Sequence, residues 1–436
     1  MKTAFLQTEP PPTVKAHQQE AIWQAQRRER VLLLIAAAFV LSASLSLILA
    51  RGAAFTELWH MAVWALCALG AHLALNRWLP RRDPFLLPLT LLLAGWGIVQ
   101  IDRVAPFFAS RQTLWLVVAS LALIAITRLP VNLRWLSRYR YLWLVVGLVL
   151  LLLTIFFGSN PSGGGPRLWL GVPDVYFQPS ELLKLLLIAF FASYLADHRA
   201  LLDLPSRGGL GVALRFLSPL LLMWGVCVAL LLWQRDLGTA ALFFITFVTL
   251  IYLATGRAAY ALGGVVLLLA AGVVAYYAVD LVRLRVNIWL NPWADAQDSA
   301  FQIVRSLMAF AAGGVVGQGI GQGAPVYVPV VHSDFIFAAI GEEWGMIGAL
   351  SVIASFALIT LRGLRLAVQV QNRVFRAYLA AGLSVVLTAQ SLLIMGGVLK
   401  IIPLTGVTLP FMSYGGSSLL ISFAMIGLLL VISADA

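Results

Sequence analysis

The chain has 436 residues, 61% of them hydrophobic and only 11% charged, and its mean hydropathy is +0.92. Soluble domains carry about a quarter charged residues, so this composition excludes a soluble globule and implies a polytopic membrane protein. Thirty Lys and Arg against 18 Asp and Glu give a net charge of +12, which in such a protein reflects topology rather than nucleic-acid binding.

The first thirty residues hold Pro10, Pro11 and Pro12 and the basic group Arg27, Arg28 and Arg30. They are too polar for a signal peptide and are expected to form a cytosolic tail. Apolar runs follow at about 31–50, 59–76, 85–101, 112–127, 141–157, 178–195, 216–233, 238–255, 259–280, 334–361, 377–398 and 411–433. Each approaches the roughly 17 to 25 residues a helix needs to cross a bilayer, and an open spanning segment must be helical to satisfy its own backbone. Twelve such spans place both ends on one side. Cys67 and Cys227 lie inside apolar runs with no partner at ligand spacing, which predicts neither a disulfide nor zinc.

Between the runs, the first informative connection is 158–177, with Arg167 and Trp169, leading through Gln178, Pro179 and Ser180 into a helix. Proline suits a first helical turn, where its missing N–H is no loss. Glu181 and Lys184 then stand at i, i+3 on one helical face just inside the membrane, where ionisable groups are costly and mark function by default. The turn Gln234-Arg-Asp-Leu-Gly-Thr239 presents Asp236, either as a helix cap or as a substrate contact.

The longest polar break runs over 281–333. From Asn291 to Asp334 it gathers Asp295, Asp298, Arg305, His332 and six glycines between Gly313 and Gly323, with Arg283 and Arg285 just before. A surface helix over 301–310 is predicted within it. The glycine run lacks the phosphate-loop pattern, and His332 beside Asp334 lacks the serine or cysteine of a triad. Asp334 and the Glu342-Glu343 pair are read as structural or cavity-lining. Finally, Pro403 to Pro410 and Ser413 to Ser418 allow irregular backbone and close helix contact at membrane depth.

With the N-terminus inside, the inner connections hold 20 Lys and Arg and the outer ones nine, which favours that orientation. The connections at 158–177, 281–333 and 397–410 then meet at the outer surface.

These segments together resemble the SEDS family of peptidoglycan polymerases, which includes RodA, FtsW and SpoVE. The resemblance rests on Arg111-Gln112, Gly165-Pro-Arg-Leu-Trp169, Gln178-Pro-Ser-Glu-Leu-Leu-Lys184, Gln234 to Thr239, Asn291-Pro-Trp-Ala-Asp295, Gln302, Ser306-Leu307, Gly317-Gln-Gly319, His332-Ser-Asp-Phe335, Gly341-Glu-Glu-Trp-Gly345 and Pro403 to Ser418, in the family's order. It implies an all-α fold with a ten-helix core over 83–436, so that 31–82 adds two N-terminal transmembrane helices. It also implies a multi-pass protein of the bacterial cell membrane that transfers the lipid-linked disaccharide-peptide, lipid II, to a nascent glycan strand and releases undecaprenyl diphosphate.

By the same resemblance Asp295 is the essential carboxylate, seven residues before Gln302. The family's Asp-Pro-x-Gly-x-Gly-Tyr-Gln reads Asp295-Ala-Gln-Asp-Ser-Ala-Phe-Gln302 here, and Asp298 stands as a competing base. Arg111 and Arg167 match family positions and rank first as contacts for the diphosphate, ahead of Arg283, Arg285 and Lys400. Glu181, Lys184 and Asp236 are further candidates for substrate binding. A diphosphate leaving group is compatible with a divalent cation, Mg or Mn, and the expected partner is a class B penicillin-binding protein transpeptidase. A lipid II flippase or a polytopic transporter is the alternative, and a non-catalytic scaffold is a third reading. The flippase or transporter would need essential charges deep in several helices, whereas most candidates cluster at the outer face, and the scaffold would tolerate loss of Asp295.

Overall fold

In a computed structural model the residues 12–129, 133–160, 166–172, 175–198 and 210–435 are described. Gly165, Arg199 and Arg207, which entered the motif and the charge count, lie outside them. The helices are α1 (Pro12–Arg51), α2 (Trp59–Trp78), α3 (Leu86–Val104), α4 (Pro106–Ile126), α5 (Arg134–Arg138), α6 (Arg140–Phe157), α7 (Pro179–Asp197) and α8 (Leu210–Trp233). They continue with α9 (Leu237–Thr255), α10 (Ala258–Ala278), α11 (Asp280–Leu290), α12 (Phe301–Gly313), α13 (Ile336–Gln369), α14 (Val374–Val398) and α15 (Gly416–Ser433). A two-stranded antiparallel hairpin, β1 (Leu170–Val172) and β2 (Val175–Phe177), pairs Leu170 with Phe177.

The chain is therefore an all-α polytopic membrane protein. Among the described residues, eleven helices are long and apolar enough to cross a bilayer. The expected span 216–233 falls in α8, whose described apolar part, Ser218–Trp233, is shorter. The first helix differs from expectation. Residues 12–30, read as a tail, form the opening turns of a 40-residue helix, because no glycine or proline interrupts the Ala, Gln and Arg between Pro12 and Gly52.

Helices α7, α14 and α15 form the buried centre and α10 stands at the periphery. The N-terminal pair packs on this bundle, α1 against α3 and α2 against α4. Trp64 Nε1 donates to the Leu91 carbonyl at 2.9 Å, and His60 Nδ1 lies 2.8 Å from Thr113 Oγ1.

At the face where α1 begins, ion pairs replace apolar contacts. Glu29, 1% exposed, accepts from Arg82 Nε at 2.8 Å and Nη2 at 2.5 Å, and lies 2.7 Å from His72 Nδ1. Next to it, Asp83 accepts from the amides of Phe85 and Leu86 at the start of α3 and from Arg362 Nε at 2.7 Å. These carboxylates join α1, α2, α3 and α13 at one level.

At the opposite face α13 breaks. Gly345 takes φ 65° and ψ −162°, and the glycine run of the long connection fills the break. The Gln318 and Gly319 amides donate to the Glu342 and Glu343 carbonyls at 2.9 and 3.0 Å, and the Met346 amide donates to the Gly314 carbonyl at 2.9 Å. A side chain at Gly317 would lie 2.3 Å from the Glu343 carbonyl oxygen, so glycine is required for the approach. The predicted helix over 301–310 is α12, packed on α13.

Replacing Glu29 by alanine leaves Arg82 buried without its partner, which costs about 3–5 kcal/mol. A lowered unfolding midpoint of the purified Glu29→Ala protein is expected, and an unchanged midpoint contradicts the clamp.

Candidate functional site

The site is built where α7, α9, α14 and the 403–410 segment meet. Gln178 is extended and Pro179 opens α7, so Glu181 and Lys184 enter the bundle on one face. Both are buried. Lys184 Nζ bonds Glu181 Oε2 at 2.6 Å and Gln390 Oε1 at 2.7 Å. Gln390 Nε2 in turn donates to the Thr408 carbonyl at 2.8 Å, and Thr408 Oγ1 donates to Ser418 Oγ at 2.8 Å. An ion pair thus holds the proline-bounded segment in place through a single amide.

Arg235, with φ 62°, turns the chain so that Asp236 caps α9, its Oδ1 accepting from the Thr239 amide at 3.1 Å. Its Oδ2 accepts from Ser180 Oγ at 3.4 Å. A Cβ at Gly238 would sit 2.5 Å from the Thr405 carbonyl oxygen, and that same oxygen accepts from Arg285 Nη1 at 3.1 Å. Arg285, on α11, has Asp334 and Asp236 as its interacting carboxylates. Asp334 accepts from Ser333 Oγ at 2.9 Å.

Burial dominates the electrostatics here. It raises Asp236 and Asp334 above the usual carboxylate value despite the opposing cations, and it lowers Arg285 against their attraction. Both aspartates keep some accessible surface, but protein atoms crowd their carboxyls. His332 is lowered by burial as well. It stacks on Phe108 with ring centroids 4.7 Å apart, and its other ring neighbour is Tyr414, so it packs as a neutral ring.

Of the residues expected from sequence, Glu181, Lys184, Asp236 and Arg285 come together. Asp295 stands apart, exposed at the end of a 3-10 turn, Pro292–Asp295. Its carboxylate accepts from the Ser299 amide at 3.2 Å and from Ser299 Oγ. Its carbonyl accepts from the Asp298 and Ala300 amides, which forms the turn into α12 without the family's proline and glycines. Asp298 is exposed beside it. Arg167 is exposed ahead of the hairpin. Arg111 lies over the Phe107 ring at 4.8 Å. Lys400, at φ 60°, is half-buried, and its carbonyl accepts from Trp289 Nε1 of α11 at 3.1 Å.

Sequence reading missed Gln390, whose signal was an amide in the middle of an apolar span. It also missed the role of Arg103, which bonds Glu343 Oε1 at 2.7 Å and the Gly323 carbonyl at 2.7 Å. Glu342 and Glu343 anchor the glycine run, with the Ala324 amide donating to Glu342 Oε1 at 2.6 Å and the Gly321 amide to Glu343 Oε1 at 3.2 Å. Among the described residues no group of three or more His, Cys, Asp or Glu is placed to hold a metal ion.

Known proteins share this architecture. A family model described as "Cell cycle protein", FTSW_RODA_SPOVE, matches residues 89–436. The peptidoglycan glycosyltransferase RodA of Mycobacterium tuberculosis is 37% identical over 428 residues, 94% of this chain and 91% of that protein. The probable peptidoglycan glycosyltransferase FtsW of Geobacter metallireducens is 33% identical over 367 residues, 81% of this chain and 95% of that protein. A chain from a structure described as structural coordination of polymerization and crosslinking by a peptidoglycan synthase complex is 27% identical with a TM-score of 0.68. That match covers 81% of this chain and 98% of the other. The crystal structure of Thermus thermophilus rod shape determining protein RodA shares the fold, at 24% identity and a TM-score of 0.57, covering 81% of this chain and 97% of that one. At 94% coverage the mycobacterial match must include most of α1 and α2.

Asp334 supplies a pH test. Its folded value lies above its ordinary 3.8, so its contribution to stability is present below that value and is lost as pH rises through the folded one. The unfolding midpoint of Asp334→Asn, measured from acid to neutral pH, is expected to gain on the wild type as pH rises. Parallel curves contradict the buried carboxyl.

Proposed function

The chain belongs to the FtsW/RodA/SpoVE family, and from that membership we propose how its residues carry out peptidoglycan glycan polymerisation. It is a membrane-embedded peptidoglycan glycosyltransferase, the activity carried by the names of its curated relatives. The observation that supports a mechanism is the enclosed charged cluster of Glu181, Lys184, Asp236, Arg285 and Asp334 at the loop face, with the exposed carboxylate of Asp295 on the same connection as Arg285.

The donor is lipid II and the reaction joins its sugar to the growing strand. A sugar hydroxyl of the acceptor attacks the anomeric carbon of the donor, the bond from that carbon to the diphosphate oxygen breaks, and undecaprenyl diphosphate leaves with the electron pair. Asp295 takes the hydroxyl proton. Its exposure suits a base that must reach a large glycan acceptor, and its bonds to Ser299 orient the carboxylate.

Positive charge must meet the leaving diphosphate. Arg111, Arg167 and Lys400 are assigned to it from the family's positions and the outer-face charge, and Arg285 adds a guanidinium held by the Thr405 carbonyl. Arginine suits this role because its planar fork matches phosphate oxygens. Lys184, held by both Glu181 and Gln390, braces α7 against α14. A divalent cation is not assigned a protein cage.

Residues 83–436 form the polymerase core and 31–82 an added helical pair, with the loop face outside the cell and both termini cytoplasmic, as the charge asymmetry supports. The mycobacterial RodA match that extends over α1 and α2 supports an elongation role. A crosslinking transpeptidase of class B is the partner, by analogy with the synthase complex whose chain this one resembles. The flippase reading is not favoured, since the relatives carry glycosyltransferase names.

Purified protein with its transpeptidase, given lipid II, is expected to make glycan polymer. Asp295→Ala is expected to lose about 100-fold or more, in keeping with removal of a general base, while Asp298→Ala stays near wild type. Full activity in Asp295→Ala moves the base to Asp298. No polymer from the wild-type complex removes the assignment altogether.

A further inference from the structure

We propose that α1 carries a binding site for an anionic phospholipid, built by Trp23, Arg27, Arg28, Val31, Leu32 and Phe85. These residues line a cavity of about 480 Å³ together with Gln24. All of them precede residue 89, where the family match begins, and all but Phe85 precede the core, so its glycan chemistry does not account for the α1 residues. The inference requires that α1 cross the bilayer and does not depend on the proposed transfer mechanism.

The geometry follows from helical spacing. Trp23, Arg27, Val31 and Ile35 recur every four residues on one row, and Gln24, Arg28 and Leu32 on the next. Four residues rise about 6 Å along the axis, so the rows stack an aromatic layer, a guanidinium layer and an aliphatic layer. Trp23 is 53%, Val31 48% and Ile35 60% exposed. The arginine pair therefore lies at the edge of the apolar run that begins at Val31, at the depth of lipid phosphates. Tryptophan is favoured at that interface. Phe85, at the entry to α3, closes the cavity from the side, with the Arg362 guanidinium 4.8 Å from its ring.

Charge selects the occupant. Four arginines at this face have carboxylate partners: Arg82 has Glu29, Arg362 has Asp83, and Arg373 and Arg376 share Asp435. Arg27 and Arg28 make no ion pair among the described residues, and Arg27 rests over the Trp23 ring at 5.5 Å. A lipid phosphate supplies the missing anion, and an acyl chain follows Val31 and Leu32 beside Phe85. A zwitterionic lipid would bring an ammonium toward two guanidiniums, so a net anionic head group is preferred.

The test uses the purified full chain in detergent and native mass spectrometry, with phosphatidylglycerol or phosphatidylethanolamine titrated in. The wild type is expected to prefer phosphatidylglycerol. Arg27→Gln/Arg28→Gln is expected to weaken that binding about 30-fold, the equivalent of about 1 kcal/mol for each cation, with an unchanged unfolding midpoint. Arg27→Lys/Arg28→Lys should retain most of it. Equal binding of the two lipids, or undiminished binding by the glutamine variant, overturns the proposal. So does displacement of the lipid by glycerol 3-phosphate at equal concentration, which would make the pair a site for soluble phosphate.

Discussion

The structure depends on one constraint: a backbone break at membrane depth must find its hydrogen bonds within the protein. Gly345 breaks α13, and the carbonyls of Glu342 and Glu343 accept from Gln318 and Gly319 of the long connection. The break and the glycine run are therefore two halves of one joint. Arg103, held by Glu343 and bonded to the Gly321 and Gly323 carbonyls, ties that joint to α3. Because α12 ends where the glycine run begins, this joint also sets where the connection bearing Asp295 can lie.

The second fixed point is the Lys184 pair. A buried ion pair adds little net stability on its own, because desolvation offsets most of the attraction. Its value here is positional: Lys184 holds Gln390, Gln390 holds the Thr408 carbonyl, and the 403–410 segment then offers the Thr405 carbonyl to Arg285. A chain of polar contacts thus runs from the middle of the bundle to the loop surface. Asp295 is outside that chain. The loop face thus has a buried half that holds charge and an exposed, turn-borne carboxylate.

Much of this was legible in the sequence because apolar length and charge are one-dimensional signals. The spans, the helix over 301–310, and the Glu181–Lys184 pair at i, i+3 all follow from local spacing. What was not legible depends on partners far apart in the chain. Gln390 is 206 positions from Lys184, and Arg103 is 240 from Glu343; no local pattern names either partner. That α1 starts as early as Pro12 is carried by the absence of any helix breaker before Gly52, a signal that polarity alone does not give.

The arginines separate into two kinds, and the separation is physical rather than topological. Where folding uses an arginine, a carboxylate from another helix is beside it: Glu29 for Arg82, Asp83 for Arg362, Glu343 for Arg103. The positive-inside bias counts all of them alike, yet the paired ones are neutralised within the fold and leave little field for the bilayer. Arg27 and Arg28 have no such partner among the described residues, and Arg27 rests instead over the Trp23 ring. Around Arg285 burial works against both signs of charge, raising Asp236 and Asp334 and lowering the guanidinium itself. Desolvation disfavours the charged form of acid and base alike, and the mutual attraction of Arg285 and Asp334 opposes it.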